Sequence, residues 1–160
     1  MYIVTSNQMF QAECNAVERG ISFPQLMENA GTVCAVIIKK HFNISRSNPK
    51  KILIISGKGK NGGDGFVIAR KMWEYGCDVT LLLACGEPKD KISQDMFSLA
   101  ESTGIDILRY DNNLSAIKPY IEKADVIVRT AQVEAELERK KAREGIKREI
   151  VDVSSCISEK

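Results

Sequence analysis

The fold class predicted for this chain is α/β: a mostly parallel sheet covered by helices on both faces, with two helices ahead of the first strand. Short β-branched runs alternate with helical patterns from residue 52 onward, as they do in successive strand–helix–strand units. The runs are continuously apolar, which is the pattern of strands buried on both faces. A glycine-dense segment joins the first run directly to the helix that follows it.

The elements can be taken in order. Met9, Phe10, Ala12, Ala16 and Val17 recur at helical spacing over residues 8–19, and Gly20 supplies a stop. A second helix starts near Pro24, a residue suited to a first helical turn, and runs through LMENAGTVCAVIIKKH. Its apolar stripe is Leu26, Met27, Ala30, Val33, Cys34, Ile37 and Ile38, and Lys39 and Lys40 oppose the dipole at its end. Asn43 to Lys51, with Pro49, reads as a loop. Ile52–Ile55 is the first buried strand, followed by a glycine-rich turn and a helix through FVIARKMWEY that stops at Gly76. Val79–Leu83 is the next strand and Ile92–Ala100 the next helix, with Gly104 as its stop. Ile105–Leu108, Asp125–Val128 and Ile150–Val153 are three further strands, separated by helical patterns at 115–123 and 131–148.

A hydrophobic fraction of 44% and a charged fraction of 28% are those of a soluble globular chain long enough to bury a core. A net charge of +2 gives no reason to expect nucleic acid or a membrane surface as partner. Cys14, Cys34, Cys77, Cys85 and Cys156 form no CxxC pair. They read as small apolar core residues of a reducing cytoplasm, not as a zinc site or a disulfide framework. No stretch is apolar for long enough to span a bilayer. The expectation is a cytoplasmic single domain over residues 1–160.

The chemistry concentrates in Gly57-Lys58-Gly59-Lys60-Asn61-Gly62-Gly63-Asp64-Gly65. Five glycines in nine residues permit positive φ and a close approach of backbone to ligand. The helix that follows offers free N–H groups and the positive end of its dipole, an anion site. In an open parallel sheet this segment lies at the carboxyl ends of the strands, where ligands bind, and the architecture is then three-layered and Rossmann-like. It is not the dinucleotide fingerprint with an acidic residue on the second strand, nor a P-loop, since no Gly-Lys-Ser/Thr closes it. The plain alternative is a tight turn whose glycines serve packing alone. His41, the only histidine, lacks a nucleophile motif to serve. Trp73 is expected in the core or an interface, and Glu28 and Asn29 are expected to cap the glycine segment or face a partner subunit.

The segment GKGKNGGDGFVIAR resembles the GxGNNGGDGxVxAR signature of the YjeF N-terminal family, the NAD(P)H-hydrate epimerases, and Leu26 to Gly31 resembles its LMENAG helix. The similarity runs from about Ile3 to Val128. The resemblance implies epimerisation of the R and S forms of hydrated NAD(P)H in nicotinamide nucleotide repair. By position, Lys60, Asn61, Gly62, Gly63 and Asp64 would contact substrate, and Asn61 would also ligate potassium. Family members carry Asn where this chain has Lys60, and a lysine there can still pair with phosphate. The family also implies a homodimer through the N-terminal helices.

The likeness weakens after Val128. Arg129 stands where the family has a potassium-ligating Asp, and the family's GTG loop is replaced by Thr130-Ala131-Gln132 and a run dense in Glu, Lys and Arg. Val151 to Ile157 resembles the family's VDIPSGL motif. Asp152 would then be the acid/base and Ser155 a potassium ligand, with Ser154 and Cys156 in place of Pro and Gly. Relative to the family the domain reads as incomplete at its C-terminal end. Two functions follow from the resemblance: an active epimerase, or a catalytically inactive nucleotide-binding or protein-interaction module of the same fold.

Overall fold

The computed structural model describes residues 5–130 and 150–152 of the chain. Helix α1 (Ser6–Glu18) begins ahead of its apolar pattern because Thr5 and Gln8 close a capping box. The Gln8 amide donates to Thr5 Oγ1 (3.3 Å) and the Thr5 amide to Gln8 Oε1 (2.8 Å). Gly20, at φ +96°, follows its end. Helix α2 (Phe23–His41) is capped by the Ser22 hydroxyl, carries Pro24 in its first turn and ends on Lys39, Lys40 and His41.

The remaining elements are β1 (Lys51–Ser56), α3 (Lys60–Glu74), β2 (Asp78–Leu83), α4 (Lys91–Glu101), β3 (Asp106–Arg109), α5 (Leu114–Lys123), β4 (Val126–Arg129) and β5 (Ile150–Asp152). The strand order is β3-β2-β1-β4-β5, and every pairing between these strands is parallel. One face of the sheet presents Ile52, Ile54, Leu81, Leu83, Val126 and Val128 to Ile38, Phe66, Met72 and Phe97 of α2, α3 and α4. Burying each such side chain contributes about 1.5–3 kcal/mol. The other face presents Leu53, Ile55, Leu82 and Ile127 to Ile117 of α5. Helices on both faces make the three layers that the sequence predicts.

Some expectations need correcting. Of the two places expected for Trp73, the core is excluded: it is exposed on the outer face of α3, because the neighbouring Met72 takes the position that faces the sheet. Cys34 and Cys77 are buried as expected, but Cys14 and Cys85 are only half-buried, and none of these four forms a disulfide. The predicted helix at 131–148, Val153, Ser155 and Cys156 lie outside the described residues. Among the described residues no single helix is long and apolar enough to cross a membrane.

Candidate functional site

The largest departure from the sequence reading falls on the glycine segment. It is expected as a loop through Gly65, yet α3 begins at Lys60 and the GGDG run is helical. None of its glycines has a positive φ; among the described glycines that conformation belongs to Gly20, Gly76, Gly86 and Gly104. Steric closeness explains the glycines instead. A Cβ on Gly62 would strike the Gly57 carbonyl, one on Gly63 would strike the Met27 thioether of α2, and one on Gly65 would strike the Ser56 hydroxyl at the end of β1. Glycine is a poor helix former, and here tertiary packing overrides propensity. Gly31 plays the same part in α2, where a Cβ would stand 2.7 Å from Val67 Cγ1. Helices α2 and α3 therefore cross almost backbone to backbone.

That crossing is held by charge as well. Glu28 accepts from Arg70 and lies 3.4 Å from Lys71 Nζ, both on α3. Glu28 thus joins α2 to α3 and does not cap the glycine segment, as the sequence reading had allowed. Asn29 is exposed on α2 and accepts from Gln25 Nε2 at 2.9 Å, a bond within the helix.

Packing accounts for Gly62, Gly63 and Gly65, but it does not account for the open start of α3. Thr5, Ser22, Asp90 and Asn113 each cap their helix with a side-chain oxygen. The N-cap of α3 is Gly59, which has no side-chain cap. The amides of Gly62 and Gly63 turn back to the Gly59 carbonyl at 2.8 and 3.3 Å, which leaves the first-turn amides of Lys60 and Asn61 without a carbonyl acceptor in the helix. This N-terminus lies at the carboxyl edge of β1. The chain leaves β1 toward β2 on one side, and β4 flanks it on the other, so the site stands at the topological switch point of the sheet.

Neighbouring segments fix the turn. The Gly57 amide donates to the buried Thr130 Oγ1 (3.2 Å), just past β4. Lys89 N donates to the Lys58 carbonyl (3.3 Å) and Ser93 Oγ to the Gly59 carbonyl (3.4 Å). Thr130 and Ser93 were not singled out from the sequence; the one available signal was a hydroxyl placed directly after an apolar strand.

The substrate-contact residues inferred from the resemblance are brought together here. Lys60 is exposed at the first position of α3, its Nζ 5.6 Å from the Phe23 ring centroid and 5.9 Å from that of Phe10, within cation–π range. Asn61 is half-buried beside it, and Gly62 and Gly63 are buried. Asp64 is only 8% exposed. Burial pushes its carboxyl up to about 7, and the charge of Glu13 on α1 adds to the rise. Nearby Asp90 goes the other way. Burial opposes its charge, but hydrogen bonds from Ser93 and the Lys60 ammonium hold its carboxyl below the ordinary range.

Asp152 ends β5 and is the register partner of Arg129 on β4. Ser155 lies outside the described residues. Arg129 is 9% exposed at the end of β4, paired in register with Ile55 of β1. No group of three or more His, Cys, Asp or Glu among the described residues could hold a metal ion. Arg129 does not suit a potassium site: its buried guanidinium is a cation and repels another at this strand end.

Fold and site together define a class: a parallel α/β domain with an uncapped, glycine-fronted helix at the switch point, the arrangement that receives phosphorylated ligands. The chain belongs to the family of the YjeF-related protein N-terminus, whose description matches residues 24–130. It is 32% identical over 131 residues to the bifunctional NAD(P)H-hydrate repair enzyme Nnr of Pyrobaculum aerophilum, covering 80% of this chain and 25% of the relative. The NAD(P)H-hydrate epimerase of Plasmodium vivax is 34% identical over 122 residues, covering 69% of this chain and 40% of that protein. The one from Elusimicrobium minutum is 45% identical over 80 residues, covering 49% of this chain and 36% of that protein. The chain thus spans between a quarter and two fifths of the length of these three relatives. The crystal structure of the yeast protein ynu0 shares the fold, with a TM-score of 0.75 and 21% identity over 96% of this chain and 70% of that one.

Proposed function

We propose that the chain binds hydrated NAD(P)H at the start of α3 and interconverts its R and S epimers. The observation that carries this reading is the uncapped N-terminus of α3 at the switch point, which offers amides and a positive dipole to a pyrophosphate. The names of the family relatives supply the substrate class. Lys60 adds a cation beside the phosphate, and Asn61, Gly62, Gly63 and Asp64 line the approach.

The hydrated carbon bears both a hydroxyl and the ring nitrogen, so it is a carbinolamine. It loses its configuration when an adjacent bond opens and regains either configuration on reclosure. A carboxyl that gives and takes a proton speeds both steps, and Asp152 is assigned that part. Whether potassium takes part through Asn61 and Ser155 is decided by the same assay. Action in a reducing cytoplasm, and pairing of two copies through α1 and α2, belong to this reading as well. A second reading, a nucleotide-binding module without turnover, is favoured by Arg129 and by the replacement of the GTG loop.

The test is epimer exchange on freshly hydrated NADH, followed by chromatography with and without potassium. Equilibration faster than in buffer supports the epimerase. Folded protein that binds NADH without accelerating exchange supports the module, and folded protein that does neither rules out both.

A further inference from the structure

The buried Arg129 remains to be explained. It terminates β4, beside Ile55 of β1 and Asp152 of β5 in the ladders. The next residue, Thr130, holds the Gly57 amide. Arg129 shares the α5 face of the sheet with Ile55 and Ile127, whereas Thr130, one residue on, serves the face that carries the glycine turn. Neighbouring strands run about 4.8 Å apart. A fixed cation at this strand end repels any second cation, while it favours an anionic ligand. Arginine suits a buried position because a guanidinium is more weakly hydrated than an ammonium and costs less to desolvate.

We infer that Arg129 supplies, from the chain itself, the positive charge that a monovalent cation would otherwise supply at the carboxyl edge of β4, so that folding and nucleotide binding here are indifferent to potassium. The inference rests on the proposed nucleotide reading for its ligand arm only.

The experiment is thermal melting of the full chain in potassium, sodium and choline chloride, each at about 0.1 M so that screening is equal. Melting temperatures should agree within about 1 °C, whereas an ion site filled to about a hundred times its Kd would raise the value by several degrees. A rise specific to potassium in the unaltered chain overturns the inference. In Arg129→Asp, potassium should give such a rise and sodium should not. A variant that folds yet still ignores potassium overturns the assignment to residue 129. Should that variant fail to fold, Arg129→Lys, which keeps the charge, should match the unaltered chain in all three salts, and a potassium-specific rise in it counts against the inference.

The ligand arm titrates ADP-ribose in potassium and in sodium. Equal affinity, within about twofold, is expected, and a tenfold gain in potassium (about 1.4 kcal/mol) overturns the inference. If ADP-ribose binds in neither salt, the nucleotide reading falls, and the melting data still judge Arg129 independently.

Discussion

Helices α3 and α4 both start at the carboxyl edge of the sheet, each after a buried strand, and they lie side by side, yet their first turns are built in opposite ways. Helix α4 is closed: the Asp90 carboxylate accepts from the Ser93 amide at 2.9 Å, and hydrogen bonds hold that carboxylate ionised. Helix α3 is open: glycine stands at the cap, two more glycines lie in the first turn, and the carboxyl that follows them, Asp64, has its pKa raised to about 7 by burial. A helix that satisfies its own amides has nothing left to offer a ligand. One that leaves them open depends on tight packing behind the turn to hold its shape, and Gly62, Gly63 and Gly65 provide that packing.

The sharpest way to break the comparison is to spoil that packing. Gly62→Val would drive a branched side chain into the Gly57 carbonyl, a backbone atom with little freedom to move. A loss of about 3 kcal/mol or more is expected, read as a large drop in the urea midpoint or as failure to fold. At the equivalent depth in α4, Ser93→Ala should cost much less, since it removes a long hydrogen bond to Gly59 and one to Asp90 without driving any atom into the backbone.

The second test uses the two carboxyls. The folded-state value for Asp64 lies near 7 against an ordinary 3.8, so between these limits the folded chain binds more protons than the unfolded one. Its contribution to stability is therefore complete below about pH 4 and is lost as pH rises through 7, on the order of 4 kcal/mol at most. Asp64→Asn should flatten the stability profile between pH 4 and 7 and raise stability at pH 8. If denaturation curves for the variant and the unaltered chain show the same slope across that window, the burial of Asp64 has been misjudged.

The smallest effect comes from exchanging the caps. Gly59 already has extended backbone, φ −100° and ψ −168°, which suits an acidic cap. Gly59→Asp should leave stability within about 1 kcal/mol of the original, while its carboxylate takes the amides and repels a pyrophosphate. Calorimetric affinity for ADP-ribose should fall at least about tenfold. Asp90→Gly should shift the melt slightly and leave that affinity nearly unchanged; equal losses in the two variants would show that the openness of α3 is not what the ligand uses.

Much of this was legible in the sequence. Ile52–Ile55 and Val79–Leu83 could only be buried strands, and alternation with helices fixed the class and the parallel sheet. The site could be located because glycine density marked it. Its inner workings were harder to read, because propensity argues against helix at Gly62-Gly63-Asp64-Gly65, and only contacts with Met27, Ser56 and Gly57 reverse that argument. Asp64 and Arg129 look like surface residues in a one-dimensional reading, and their burial depends on which elements the fold places over them. Thr130 gave no signal beyond its position, since its partner lies 73 residues away.

That last bond has a consequence in time. Its two ends follow the first and the fourth strands of the sheet, so Gly57 cannot reach its final partner until β4 has been made and has docked beside β1. Helix α3 and its glycines can assemble early against β1 and β2 from local segments, but the turn in front of them is completed only when the chain reaches residue 130. A nascent chain on the ribosome would thus carry the whole glycine signature long before it could grip a ligand, and competence to bind would arrive in one step with the fourth strand.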